Sequence, residues 1–222
     1  MGEFGDAYRQ LRERVRAVVR ETRDDRLDRP SPATPRWTVH DVLAHLVGVT
    51  ADAVEGRLDG VATDAWTQAQ VDRRRGRTVG ELLAEWDDYG PRFEALMDAV
   101  PPAVSGQAVF DAVTHEHDLR CALGRPGARD SAAVVIAWDW IVAARTRGGA
   151  PALRFVTEAG EAVSGAGAPV ATVRAPRFDL LRAVSGRRSA SEIAGFGWDP
   201  RPAPELLLAA PIFTMRDEPL GE

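Results

Sequence analysis

The sequence contains no lysine, only one cysteine and no long apolar run. All 28 basic side chains are therefore arginines, which is typical of GC-rich coding rather than of a particular function. The single cysteine, Cys121, excludes an intramolecular disulfide and favours a reducing compartment. No apolar stretch approaches the roughly 18 residues of a membrane span, and the first residues do not have the pattern of a signal peptide. We therefore expect a cytoplasmic protein.

Basic charge is also outweighed by acidic charge. The net charge is −5 and the pI is about 5.5, so the composition argues against a nucleic-acid or anionic-membrane partner. Hydrophobic residues make up 45% and charged residues 27% of the 222 positions, which is ordinary for a globular chain with a buried core. This length suits one large or two modest domains.

Helical periodicity dominates the first 150 residues. Apolar side chains recur at intervals of three and four from Phe4 to Val18, from Leu82 to Val100 and from Val134 to Ile141. Three prolines at positions 30, 32 and 35 predict an extended linker after the first helix. The Gly90-Pro91 pair should kink or restart the helix that contains it.

The pattern changes at Pro151. Segments 152–157 and 170–174 are rich in β-branched residues and bounded by glycine or proline, so they predict strands. Segment 178–184 predicts a short helix, and a further helix could form at 205–209. We therefore predict an α+β chain with a helical bundle at 1–150 and a small α+β domain at 151–222.

The stretch from Phe110 to Arg120 carries the most informative polar residues. In a helix, Asp111 and His115 lie one turn apart on the same face. A carboxylate and an imidazole in this position form half of a metal site or half of an acid/base pair. Among the four histidines, His45 lies within another amphipathic pattern and could meet them from a facing helix. Asp118, three positions after His115, could orient an imidazole, act as a base, or form a surface ion pair.

Other candidates have competing interpretations. Asp41 could be a ligand, but its spacing from Thr38 is that of a helix-capping box, which we favour. His117 and the neighbouring Glu116 should point away from the Asp111/His115 face. Cys121 also lies off that face and is predicted to be inert.

Residues 61–77 contain Gln70 and a cluster of four arginines that includes Arg74. The cluster could simply be a solvated helix face. Alternatively, Gln70 or an arginine such as Arg74 could reach into the pocket and hold an anionic substrate or cofactor through charge-assisted hydrogen bonds.

Three segments together resemble the mycothiol-dependent maleylpyruvate isomerase family. They are WTVHDVLAHLVG at 37–48, Trp-Thr-x-Ala-Gln at 66–70 and FDAVTHEHDLR at 110–120. The resemblance covers roughly residues 8–150 and implies a DinB-like four-helix bundle. It also implies a divalent metal, usually zinc, bound by His45, Asp111 and His115. The family's isomerase has glutamate where this sequence has Asp111. Segment 179–187 resembles the family's small C-terminal domain, which is sterol-carrier-like in topology.

The resemblance implies a metal-dependent enzyme that uses mycothiol as a thiol cosubstrate. It would act as an isomerase or a thiol S-transferase on a small electrophilic metabolite, as a monomer or weak homodimer. Two other functions fit the same residues. One is a non-catalytic metal- or ligand-binding member of the family, and the other is a metal-dependent hydrolase with Asp118 as its base.

Overall fold

The computed structural model describes residues 2–208 and 213–222, and it confirms an α+β chain. The chain divides into two compact units, Met1–Gly127 and Ala128–Glu222. The first unit contains these helices and strands: α1 (Glu3–Arg20), α2 (Asp24–Leu27), β1 (Pro30–Ser31), β2 (Thr34–Thr38), α3 (Val39–Val54), α4 (Asp64–Arg74), α5 (Val79–Ala99) and α6 (Pro102–Leu123).

Four long helices form the bundle of the first unit. Helices α1, α3, α5 and α6 pack against one another, and α4 packs on α3. Their apolar stripes meet around the indole of Trp86, whose Nε1 donates to Tyr8 Oη and Thr50 Oγ1, both at 3.1 Å. Burial raises the pKa of Tyr8 to about 12, so its hydroxyl stays protonated in this core. Polar contacts inside the core thus link α1, α3 and α5.

Local sequence features set the helix ends. The Thr38/Asp41 capping box is confirmed: the Thr38 side chain accepts from the Asp41 N–H, and the Asp41 carboxylate accepts from the Thr38 N–H. Helix α6 is capped at its C-terminal end by Gly124, which adopts the left-handed conformation with φ at +63°.

Two local predictions differ from the structure. Helix α5 does not restart at Pro91 but continues through it to Ala99, because residues on both sides of the proline pack into the same core. The predicted extended linker instead forms the short antiparallel pair of β1 and β2, which leads directly into α3.

The second unit contains α7 (Ala132–Arg147), β3 (Pro151–Thr157), β4 (Gly160–Ser164), β5 (Ala166–Arg174), α8 (Arg177–Val184), α9 (Ala190–Ala194), β6 (Gly197–Asp199) and a 3-10 helix (Pro204–Leu207). The sheet order is β4-β3-β5-β6, with β3 and β5 parallel and the two outer pairs antiparallel. The strands predicted at 152–157 and 170–174 and the helix predicted at 178–184 are confirmed. In place of the helix predicted at 205–209, the 3-10 helix ends at Leu207, and Ala209 lies outside the described residues.

The division between the units differs from the sequence-based boundary. Helix α7 packs on α8 and β4, so the contacts group it with the sheet rather than with the bundle. The boundary near residue 150 therefore stays a prediction about separately folding domains. Among the described residues, no helix combines the length and the apolar character needed to cross a membrane.

Candidate metal centre

Helices α3 and α6 bring three potential ligands together. His45 lies in the middle of α3, while Asp111 and His115 lie one turn apart on α6. His45 Nε2 is 3.3 Å from Asp111 Oδ2, and His115 Nε2 is 3.7 Å from Asp111 Oδ1. One ligand atom from each residue lies within 4.8 Å of the others. The structure therefore brings together the three residues that the sequence nominates as ligands.

The cluster is buried on the histidine side and open on the aspartate side. The His45 and His115 side chains are 2% and 10% exposed, whereas the Asp111 side chain is 37% exposed. The indole of Trp37 lies over both imidazoles, with ring centroids 5.3 Å from His45 and 6.0 Å from His115. The Asp111 carboxylate therefore forms the solvent-facing side of the cluster.

The donor atoms fit a divalent cation. Among the described residues, the buried His45 Nε2 makes no hydrogen bond, although a carboxylate oxygen lies 3.3 Å away. When Nδ1 carries the proton of a neutral imidazole, Nε2 and the carboxylate oxygen both offer lone pairs, so their close approach is unfavourable without a cation between them. Two imidazoles and one carboxylate also match the ligand set of catalytic zinc sites that keep an open position. The residues present therefore suit a zinc-like ion.

Each imidazole is held at its far nitrogen by a buried polar side chain. His45 Nδ1 lies 2.8 Å from Gln70 Oε1, and His115 Nδ1 lies 3.1 Å from Asp118 Oδ2. Both Gln70 and Asp118 are fully buried. Hydrogen bonds of this kind fix the orientation of metal-binding histidines.

Burial also sets the protonation state of His115. Desolvation lowers the pKa of His115, while the nearby carboxylates of Asp118 and Asp111 act in the opposite direction but do not cancel it. The imidazole is therefore neutral at pH 7, which is the form that binds a metal.

Arg74 is engaged within the bundle. Its guanidinium forms a two-pronged ion pair with Glu85, at 2.6 Å and 3.2 Å, and Nη1 donates to the backbone oxygen of Gln70. Arg74 is 3% exposed, so it supports the segment that carries Gln70. The neighbouring Arg73 instead pairs with Asp52.

The remaining sequence candidates lie outside the three-residue cluster. His40 Nε2 donates to the backbone oxygen of Arg77 at 2.7 Å. The fully buried Glu116 accepts hydrogen bonds from Arg14 on α1 and Arg120 on α6. His117 is buried and Cys121 is partly buried, and neither belongs to the cluster.

Two further residues of this region were not among the candidates from the sequence. Asp52 is fully buried and accepts a hydrogen bond from Gln70 Nε2 at 3.1 Å. Its position seven residues after His45, two helical turns along the same face, was an available signal. The contact of Trp37 with the two imidazoles could not be predicted, because Trp37 precedes α3 and its placement depends on the pairing of β1 with β2.

Fold and site together define a helical-bundle protein with a His–Asp–His cluster between facing helices. The family model of the mycothiol maleylpyruvate isomerase N-terminal domain matches residues 8–124. The chain belongs to this family, which confirms the resemblance found in the sequence.

Two solved structures share the fold at 13% sequence identity. Both are crystal structures of a mycothiol-dependent maleylpyruvate isomerase, one of them a histidine-to-alanine mutant. The TM-scores are 0.62 for the mutant and 0.59 for the other, and each match covers 90% of this chain and 95% of the other chain. No curated protein sequence matches this chain.

Proposed function

We propose that this chain is a metal-dependent enzyme that uses mycothiol as its thiol cosubstrate. It would act on a small electrophilic metabolite as an isomerase or a thiol S-transferase. The observation that carries the proposal is the cluster of His45, Asp111 and His115, within a domain of the mycothiol maleylpyruvate isomerase family. Because both structural relatives are maleylpyruvate isomerases, maleylpyruvate is the first substrate to test. We further propose a cytoplasmic protein that is a monomer or weak homodimer.

The three ligands would bind one divalent ion, most simply zinc. Such an ion, when bound, would favour the deprotonated form of a thiol and so supply a nucleophile at neutral pH. The two histidines would present ring nitrogens from the buried side, and Asp111 would contribute a carboxylate from the open side. This arrangement leaves the approach from solvent to the thiol and the substrate.

Asp118 would act through His115. Its carboxylate is fully buried and accepts the N–H of His115 Nδ1, so it lies behind the imidazole and away from the side on which the ligand nitrogen faces Asp111. This placement supports the orienting role among those the sequence left open for Asp118. Gln70 would hold His45 in the same way, since its Oε1 lies 2.8 Å from His45 Nδ1. Direct binding of a thiol cofactor by Gln70 or Arg74 stays a prediction.

The proposal is tested by isomerisation of maleylpyruvate with and without mycothiol, using protein stripped of metal and then reconstituted with zinc. We expect turnover only when both zinc and mycothiol are present. Asp111→Ala should lose bound zinc and turnover together. His117→Ala, which changes the same helix outside the cluster, is the matched control and should keep both.

The same assay separates the alternatives. Zinc-dependent consumption of an ester or amide substrate without any thiol would select the hydrolase. Bound zinc without turnover of maleylpyruvate, and without transfer of mycothiol to a panel of small electrophiles, would select the non-catalytic member.

A further inference from the structure

Behind His45, a chain of buried hydrogen bonds leads from the cluster to the protein surface. His45 Nδ1 contacts Gln70 Oε1 at 2.8 Å, and Gln70 Nε2 donates to Asp52 Oδ2 at 3.1 Å. Asp52 is then bound by Arg57 and Arg73. His45, Gln70 and Asp52 are each at most 2% exposed, while the two arginine side chains are each 45% exposed.

The charge on Asp52 determines which way the Gln70 amide faces. A carboxylate paired with two guanidinium groups only accepts hydrogen bonds, so the Gln70 nitrogen must face Asp52 and its oxygen must face His45. A carbonyl oxygen also only accepts, so His45 Nδ1 must carry the proton. In the neutral ring, Nε2 is then the nitrogen with the lone pair, and it lies 3.3 Å from Asp111.

We propose that Asp52, acting through Gln70, is a positioning residue that sets the tautomer of His45 so that Nε2 is available to bind metal. This inference rests on the proposed metal site. Asp52 touches neither the cluster nor the open approach to it, since Gln70 lies between. With the amide reversed, Gln70 would donate to Nδ1, and His45 Nε2 would carry the proton and could not be a ligand.

The two histidines are thus oriented by different means. His115 donates directly to the carboxylate of Asp118, which enforces its tautomer without an intermediate. For His45, the neutral amide of Gln70 lies between the imidazole and the carboxylate. The orientation of that amide, and hence the tautomer of His45, depends on the charge of Asp52. Replacing Asp52 by asparagine therefore keeps the shape of the chain but removes the constraint on the amide, because asparagine can donate as well as accept.

The inference is tested in Asp52→Asn by two measurements. The first is the ¹⁵N NMR spectrum of the histidine side chains in the metal-free protein, which reports which nitrogen of His45 is protonated. The second is zinc affinity, measured by competition with a chromophoric chelator. We expect a single Nδ1–H tautomer in the wild type and a mixture in Asp52→Asn, with zinc affinity lowered about 10- to 100-fold.

Two further variants keep the test decisive. Glu94→Gln removes another buried carboxylate paired with an arginine, Arg12, and should leave both the His45 tautomer and the zinc affinity unchanged. Gln70→Leu removes the amide itself and should also release the tautomer, so it serves if Asp52→Asn does not fold.

The outcomes separate this inference from the proposed function. A retained Nδ1–H tautomer in Asp52→Asn overturns the positioning role, whatever happens to zinc affinity. A changed tautomer with wild-type zinc affinity also overturns it, because the tautomer would then have no consequence for the site. If the wild-type protein binds no zinc, the proposed metal site is wrong. The positioning role of Asp52 is then wrong as well, even if the NMR spectrum shows the expected tautomer.

Discussion

Removing His45 should abolish metal binding, whereas removing His40 or His117 should not. The reason is geometric: among the residues that the structure describes, His45 supplies one of three clustered ligands, and a two-ligand site leaves the ion largely solvated. The purified protein should carry about one divalent ion per chain, with His115→Ala as deficient as His45→Ala. His40 is the most useful control, because its ring already donates to the Arg77 backbone oxygen in the same unit.

The size of the effect follows from binding linkage. At free zinc about 100-fold above the dissociation constant, binding to the folded state adds about 2.7 kcal/mol to the free energy of unfolding. For a chain of this length, that corresponds to a rise in Tm of roughly 5–11 °C. Loss of one ligand should weaken binding by more than the 10- to 100-fold typical of an outer partner, so the rise should vanish at the same zinc concentration.

The assay compares Tm with and without zinc for the wild type and for His40→Ala, His45→Ala, His115→Ala and His117→Ala, together with elemental analysis. Only the zinc-dependent shift is informative. His45→Ala also leaves the buried Gln70 oxygen without its hydrogen bond, which costs about 1–3 kcal/mol in the metal-free protein. A zinc shift retained in His45→Ala and lost in His117→Ala would refute the assignment and relocate the site.

Three further substitutions test residues around the proposed metal site. Glu116→Gln should lower the free energy of unfolding by about 2–3 kcal/mol in urea titrations, because it leaves two partly solvated arginines without their buried carboxylate. Zinc binding should persist in this variant, and loss of zinc with unchanged stability would contradict the prediction. Gly48→Ala should weaken zinc binding in a chelator competition, because the added Cβ would lie 2.5 Å from Gln70 Cβ and force α4 away from α3; unchanged affinity would show that this contact is not needed. Cys121→Ser should keep most of the thiol-dependent turnover, since Cys121 is outside the cluster. A loss of turnover as large as that of a ligand variant would show that the Cys121 thiol takes part in the reaction.

Local geometry explains what could be predicted from the sequence. The α-helix repeats every 3.6 residues, so Asp111 and His115 share a face in any helix that contains them. The capping box at Thr38 and the left-handed turn at Gly124 likewise depend only on nearby residues. Strands β3 and β5 were predicted from β-branched runs, whereas β4 and β6 were missed because they are short and exist only through pairing with their neighbours.

The third ligand was predicted from two sources. The amphipathic pattern around His45 nominated it as the partner of Asp111 and His115 from a facing helix, and similarity to a family with a known ligand set pointed to the same residue. The structure brings all three within 4.8 Å of one another.

The contacts of Gln70, Arg74 and Asp118 became visible only in the tertiary structure. From the sequence, Gln70 and Arg74 were candidates to reach a cofactor, yet the structure turns Gln70 toward His45 and Arg74 toward Glu85. Which groups face each other across two helices depends on the rotation and separation of those helices. That separation follows from packing along their full length, including the close contact of α4 with Gly48, and no local stretch of sequence determines it.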